Sequence, residues 1–344
     1  METTVSVDNY DVESIVQPSS IKEVVDTMIV DPNLSPINYF GFTGDAEKCM
    51  EKDKDSLNDG FLKVDGLDKR FTISTHCMSE HLCDDCYSAT LVLLSKALRK
   101  QYARGGTPIS FNVTISNLLV GDTSNYDMTK DISKAVEEIE KIYDLKLMEK
   151  KIRFAKNFVK KPTPELVVTI LSQFDTVANQ ATSHFKTKGE NIVLIGKRDE
   201  DLASSDYLRI CHDVIESPLP KFEIETELKL NVAIKNLINK SIVSSALPVN
   251  RGGLFFTLYR ACIKEGLGFD ITSDAELRTD SFLFGESLGR FIVSVSEENE
   301  DKMIDYLREK GIPFLLLGHT TKGEIRIDDE SMGYVESKKE CLNK

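Results

Sequence analysis

The densest chemistry in this chain is the run His76-Cys77-Met-Ser-Glu-His81-Leu-Cys83-Asp-Asp-Cys86, where two histidines and three cysteines fall within eleven residues. Imidazole nitrogens and thiolates at this density suit a tetrahedral Zn²⁺, and Cys83-x-x-Cys86 has the spacing of one zinc knuckle or of a redox pair. Two features oppose both readings. A structural zinc site draws a second ligand pair from roughly 12–20 residues further on, and the sequence has none there. Asp84 and Asp85 also raise the neighbouring thiol pKa values and disfavour the thiolate. The other cysteines (Cys49, Cys211, Cys262, Cys341) bring the total to seven, an odd number that reads as reduced thiols. A second candidate is the basic run Lys150, Lys151, Arg153, Lys156, Lys160, Lys161, interleaved with Phe154 and Phe158. It reads as a solvated face, or as a surface for an anionic ligand or an acidic partner.

Stepping outward to the elements that must position these groups, the chain has 344 residues, 41% hydrophobic and 29% charged. That is enough apolar material for two ordinary cores, which excludes wholesale disorder and a small disulfide scaffold. The net charge of -13, from 43 basic and 56 acidic residues, makes nucleic acid an improbable partner because phosphate neutralisation needs clustered Lys and Arg. Apolar stretches such as Leu91–Leu94 and Phe314–Leu317 are far below the roughly 20 residues of a membrane span. The beginning METTVSVDNYDVES lacks basic and apolar leader regions, so a cytoplasmic protein is expected.

Residues 1–60 are acidic and interrupted by Pro18, Pro32 and Pro36, with a short helix over Ser20–Val30 and a charged loop GDAEKCMEKDKDSLNDG. From Phe61 the patterning predicts strands FLKV and FTIST, a helix over Ser88–Arg104, the strand TPISFNVTIS, an amphipathic helix over Asp131–Met148 and the strand LVVTIL. A second unit begins near residue 185. It carries the strand IVLIG, the helix ETELKLNVAIKNLINK, the helix GGLFFTLYRACIKEG, the strands GFDI and FIVSV, a helix from Glu298 to Lys310, and the strand FLLL. A hairpin through Lys322-Gly323 into EIRID closes it. Alternating strands and helices give an α/β and α+β pair of domains.

The stretches SSALPVNRGGLFFTLYRACIKEGLGFDI and DSFLFGESLGRFIVSVS resemble the C-terminal part of the phosphoribosylformylglycinamidine synthase family, within the aminoimidazole ribonucleotide synthetase-like superfamily. HFKTKGENIVLIGKRDEDLASSDYL, CHDVIESPLPKFE and LLLGHTTKGEIRID agree in order, and KVDGLDKRFTISTHC and GGTPISFNV occupy the family's first strand pair and its Gly-Gly-x-Pro turn. The resemblance spans roughly residues 60–335 and corresponds to the second of two homologous halves of the small form of that enzyme. It implies the two-domain synthetase-like fold: 1–60 as an acidic leading segment, 61–180 as the N-terminal domain, 181–335 as the α+β C-terminal domain, and 336–344 as a tail. It further implies that the N-terminal sheet pairs with a partner, either in a homodimer or with another synthetase-like chain.

Members of this family use Mg-ATP to phosphorylate an amide oxygen that ammonia then displaces, which calls for carboxylates around Mg²⁺ and glycine-rich backbone around phosphate. The family's His-Asp-x-Ser-Asp-Gly-Gly stands here as Leu247-Pro248-Val249-Asn250-Arg251-Gly252-Gly253: both glycines remain, and every ligand is gone. Asp-Pro-Tyr-x-Gly-Gly appears as Asp85-Cys86-Tyr87-Ser88-Ala89-Thr90, and a Glu ligand on the following helix is replaced by Lys96. Ser116-Asn117-Leu118-Leu119 replaces an Asn-Phe-Gly-Asn turn, and the basic stretch around Lys150–Asn157 replaces a glycine-rich one. Phe284-Gly285-Glu286-Ser287 and Arg290 are intact; Glu286 and Arg290 read either as an i, i+4 pair fixing a turn or as residual ligand contacts.

The family positions retained for a cofactor are therefore Asp85, Gly252, Gly253, Glu286 and Arg290, with no catalytic residue and no metal ligand. The expectation is a pseudoenzyme with no cofactor, acting as a structural or binding partner, with ATP or ADP and Mg²⁺ as the cofactor otherwise. The alternative is an ATP-dependent subunit of purine biosynthesis that completes its site with another chain. A weaker third reading is a metal- or nucleotide-sensing module. Arg251 and Lys96 facing a common pocket would convert a metal site into an anion site.

Overall fold

The computed structural model describes residues 11–31, 33–34, 62–64, 66–67, 69–155, 163–175, 181–198, 200–214, 217–220 and 222–340. The charged loop at 44–60, Pro36, Lys156, Phe158, Lys160, Lys161, Cys49 and Cys341 lie outside them. The chain forms two compact units, one of 55–178 with 223–235, the other of 1–54, 179–222 and 236–344.

The first unit is a five-stranded sheet in the order β1-β2-β5-β3-β4, with β1 Leu62–Lys63, β2 Lys69–Met78, β3 Thr107–Leu118, β4 Lys146–Phe154 and β5 Glu165–Asp175. All pairings are antiparallel except β3 with β4. Alternation sends Phe111, Val113, Ile115, Val168 and Ile170 to a buried face, and helix α2 (Cys86–Tyr102) packs against β2, β3 and β5. Helix α3 (Ser124–Tyr143) packs on α2 through a stripe that includes Ile132, Val136 and Ile139. The opposite face exposes Ile73, Thr75 and Cys77.

One expectation needs correction here. The helix expected over Asp131–Met148 stops at Tyr143, because Asp144 turns left-handed (φ 51°) and ends it. The residues from Lys146 to Phe154, which include the start of the basic run, form β4; it is exposed almost throughout and bulged at Met148, so it shows no alternation.

The second unit is a seven-stranded sheet in the order β12-β11-β8-β10-β6-β9-β7: β6 Asn191–Gly196, β7 Ser245–Pro248, β8 Gly268–Ile271, β9 Arg290–Val295, β10 Phe314–Thr321, β11 Glu324–Ile327 and β12 Glu330–Tyr334. Its core gathers α4 (Asp206–Cys211), the wholly buried helix α6 (Gly253–Ile263) and α7 (Thr279–Phe284). The helix over Ile224–Asn239 is α5 and that over Glu297–Glu309 is α8. The amphipathic helix α1 (Ile21–Met28), capped by Ser20, adds Val24, Val25 and Met28 to this core, and Ile15 and Leu34 join from its flanks. Arg278 donates to the Val12 carbonyl, and Lys338 pairs with Asp26 at 2.7 Å.

The closing hairpin expected between β10 and β11 does not form. Strand β8 lies between them, antiparallel to β10 and parallel to β11, with Phe269 and Ile271 in register with Ile325 and Ile327. The hairpin is instead β11–β12, turned by Asp328 and Asp329, both at positive φ. Insertion of β8 is possible because Gly268 has no Cβ: one there would sit 2.0 Å from the Glu324 carbonyl oxygen. Gly268→Ala should therefore destabilise the protein by about 2 kcal/mol or more, the scale of an overpacked core, measured as a lower midpoint in urea unfolding.

Candidate functional site

The retained positions of the Leu247–Gly253 stretch and the Phe284–Arg290 stretch meet at the N-terminus of α6. Gly252 and Gly253 both adopt positive φ (78° and 71°), which L side chains resist. A Cβ on Gly253 would lie 2.6 Å from the Phe284 carbonyl carbon and 2.7 Å from the Leu283 carbonyl oxygen; one on Gly252 would meet the Phe256 ring and Cβ at 2.7 Å. Gly253 is thus demanded by the packing of α6 on α7, and Gly252 by the Phe256 side chain of α6 itself.

The Glu286 carboxylate closes the same place from the other side. Its Oε1 accepts from the Gly252 amide and the Asp206 amide, each at 2.8 Å, two first-turn donors with no partner within their own helices. Arg290 is fully buried; its guanidinium donates to the Gly285 carbonyl and its carbonyl accepts from the Val249 amide at 2.9 Å. Gly252, Gly253, Glu286 and Arg290 are therefore one constellation.

Asp206 and Arg209 went unnoticed in the sequence. Arg251 donates to Asp206 through Nε (2.6 Å) and Nη2 (3.1 Å); Arg209 donates to the same carboxylate at 2.8 and 3.1 Å and reaches Asp31 at 3.1 Å. The only sequence signal was an i, i+3 Asp-Arg pair in a short helix opened by Ser205. Burial pushes the Asp206 carboxyl up, but the Arg251 and Arg209 guanidiniums outweigh it and hold the group below its ordinary value. Arg251 thus has an internal counter-ion in Asp206. The loop itself offers Leu247, Pro248, Val249, Asn250 and Arg251 where acidic ligands would be needed, and among the described residues no group of three or more His, Cys, Asp or Glu is placed to hold a metal ion. These residues do not fit a Mg²⁺ site.

Asp85 belongs to the first unit and caps α2, accepting from the Ser88 amide at 2.9 Å. It lines a cleft of about 430 Å³ with Cys83, Asp84, Asp122, Asp127 and Asp131, and among the described residues no Lys or Arg lines it. A nucleotide polyphosphate would meet repulsion there. Tyr87 donates to Glu138, and that bond, with burial, pushes its hydroxyl up to about 12. Lys96 lies near enough to His81 to oppose its protonation, behind the larger effect of burial.

The His/Cys patch is spread along β2 and the turn after it. His76 and Cys77 point to opposite faces of the strand. Burial, with Lys100 and Arg104 adding to it, lowers His76 to about 4. The Cys86 thiol donates to the Leu82 carbonyl, and burial first, then Asp131, Cys83 and Asp85, pushes it up to about 11. That is the opposite of a reactive thiolate. In the basic run, Lys150 donates to Ser133 on α3 and Lys151 pairs with Glu149.

The geometry defines a two-unit mixed α/β protein whose second unit is closed by internal contacts at its helix N-termini. Residues 188–329 match the AIR synthase related protein, C-terminal domain. The chain is similar to phosphoribosylformylglycinamidine synthase subunit PurL of Alkaliphilus metalliredigens, at 23% identity over 95% of this chain and 45% of that protein. Its fold is similar to that of Thermotoga maritima PurL complexed with FGAR, at a TM-score of 0.73 and 12% identity over 93% of this chain and 53% of that one. The same enzyme complexed with ATP aligns at a TM-score of 0.67 and 14% identity over 92% and 51%. Over residues 188–329 the chain thus resembles an AIR synthase-like C-terminal domain, and over most of its length it is similar in sequence and fold to PurL. It spans about half the length of the relatives it matches, and among the described residues no helix is long and apolar enough to cross a membrane.

The Asp206 clasp makes a stability prediction. A carboxyl held below its unfolded value contributes stability above that value, near 3.9, and loses it as pH falls through the folded pKa. Asp206→Asn should cost about 1–3 kcal/mol at pH 7, discounted because both arginines are about 40% exposed. The gap to the wild type should narrow below about pH 4, as read from urea midpoints at pH 7 and pH 3.5.

Proposed function

We propose that this chain is a non-catalytic relative of PurL that works as a binding or structural partner of another polypeptide. The observation that carries this reading is the α6 N-terminus. Where the resemblance calls for metal-binding carboxylates, the chain has Arg251 neutralised by Asp206, and Glu286 already occupies the backbone amides that would face an incoming anion. The glycines that survive are explained by close packing on Phe284 and Phe256. The cleft beside Asp85 supports the same reading, since the described residues that line it include five aspartates and no Lys or Arg. The partner is a second copy or another synthetase-like chain, consistent with a structure of PurLQS from Thermotoga maritima among the similar folds. The protein is taken to act in the cytoplasm.

A second reading is favoured by the solved relatives themselves, which include PurL complexed with ATP and with ADP. In it, the chain is an ATP-dependent subunit whose missing groups come from a neighbour.

Thermal unfolding of the purified protein with ADP or ATP, each with and without Mg²⁺, separates the two. Binding to the folded state at a hundred times Kd would stabilise by about 2.7 kcal/mol, a shift of a few degrees for a protein of this size. The expected result is no nucleotide-dependent shift. A Mg²⁺-dependent rise would sink the non-catalytic reading and establish the second.

A further inference from the structure

Two thiols of the His/Cys patch share the wall of the cleft in the first unit. Cys83 is exposed and Cys86 half-buried, and both line the cavity of about 430 Å³ beside Asp85. The turn between β2 and α2 brings them there. The Asp84 and Asp85 amides both donate to the His81 carbonyl, at 3.2 and 2.9 Å, with His81 itself at a φ of 61°. That folds the chain back just before Cys86, the first residue of α2. The Cys86 thiol then donates to the Leu82 carbonyl, which belongs to the same peptide group as the Cys83 nitrogen. The two sulfurs thus hang from adjoining parts of one turn, and Cys83 is close enough to be among the groups that push the Cys86 thiol up. A disulfide asks for Cβ atoms about 3.5–4.5 Å apart. The two residues between the cysteines are exposed, so the turn can settle to that spacing without disturbing the core.

The two thiols are unequal. Burial first, then Asp131, Cys83 and Asp85, raises Cys86 to about 11, and its proton is engaged by Leu82. Cys83 is the sulfur open to solvent, so it attacks and Cys86 resolves. Exchange depends on access as well as on the thiolate fraction, and a more basic thiol is the better nucleophile once deprotonated. The charge of the cleft selects the oxidant. Asp84, Asp85, Asp122, Asp127 and Asp131 surround the pair, and among the described residues no Lys or Arg lines the cavity. A field of that sign repels an anionic reagent and concentrates a cationic one.

We propose that Cys83 and Cys86 form a modification site, a dithiol that closes to an intramolecular disulfide by exchange with a cationic low-molecular-weight disulfide. The Cys83 sulfur attacks one sulfur of the reagent, whose S–S bond breaks and whose first half leaves as a thiol. The Cys86 sulfur then attacks the mixed disulfide at Cys83, forming the Cys83–Cys86 bond and releasing the second half. The two protons of the protein thiols end on the two released thiols; the protein dithiol is oxidised and the reagent reduced, with no other reactant. Closure removes the Cys86 donor from the Leu82 carbonyl and brackets Asp85, whose carboxylate caps α2 through the Ser88 amide at 2.9 Å. The site does not depend on whether the chain binds nucleotide.

The test treats the reduced full chain with cystamine, a dication, or with dithiodiglycolate, a dianion, each rate being divided by that of a small neutral thiol with the same reagent. Intact mass and peptide mapping follow the products. Cystamine should remove two hydrogens from the protein and link Cys83 to Cys86. At low salt it should react at Cys83 about tenfold faster than the dianion, the lower end of electrostatic rate enhancement, and the ratio should shrink in about 1 M salt. Cys77, exposed on β2 and not among the residues lining the cleft, should show a smaller preference on the same chain. Cys86→Ser should trap a cystamine adduct on Cys83, and Cys83→Ser should leave Cys86 reduced. A lasting adduct on Cys83 of the wild type with Cys86 still reduced, or a bond from Cys83 to any other cysteine, overturns the site. A preference for the cation no greater at Cys83 than at Cys77 overturns the selection by the cleft. These readings come from the wild type, so they decide the matter even where a variant fails to fold.

Discussion

One carboxylate oxygen holds the second unit together at its functional end. Glu286 Oε1 accepts from the Asp206 amide at the start of α4 and from the Gly252 amide at the start of α6. Helix N-termini expose amides that must find an acceptor, and they favour a negative one. Placing both on the same oxygen fixes the separation of the two helices, and that separation decides how close α6 comes to α7. The approach is tight enough that Gly253 abuts the backbone of Leu283 and Phe284. The surrounding shape follows from this one bond pair, including the left-handed backbone at residues 252 and 253.

The charge reversal at residue 251 must be understood against that arrangement. A cation introduced beside two helix N-termini is unfavourable unless a carboxylate answers it, and Asp206 does so while nearly buried. Two guanidiniums on one carboxylate leave a net positive pair, and Asp31 from the N-terminal segment completes the balance through Arg209. The result is a four-membered chain from the leading segment through α4 to the loop before α6. Its four charges sum to zero.

How much of this was legible in the sequence depended on whether the signal was local. The stripe Ile132, Val136, Ile139 and the buried run of residues 192–195 gave their elements directly, because period and burial coincide there. Strand β4 was not legible, since an exposed edge needs no alternation and its lysines imitate a solvated loop. The place of β8 between β10 and β11 was equally hidden. Short strands joined by a Lys-Gly turn look like a hairpin, and only the contact of Gly268 with Glu324, 56 residues on, excludes it. At the candidate site the residues Gly252, Gly253, Glu286 and Arg290 were found, but their roles were not. A glycine retained for phosphate and one retained for packing are the same letter, and the distances to Phe284 distinguish them. Asp206 could not be found at all, because its importance lies in Arg251 and Glu286, 45 and 80 residues away in the chain.

The first unit poses a different physical problem from the second. The second unit buries its strands around helices and gives the N-termini of α4 and α6 an internal acceptor, whereas among the described residues the first has helices on one sheet face only. A half-covered sheet survives alone only if its edges resist further pairing. Edge β4 has that resistance in Lys146, Lys150, Lys151, Arg153 and a bulge; β2 between Thr72 and Met78 has neither charge nor bulge. Solubility alone would act on both edges in the same way. Among the described residues, charge and a bulge fall on one edge alone, that of β4.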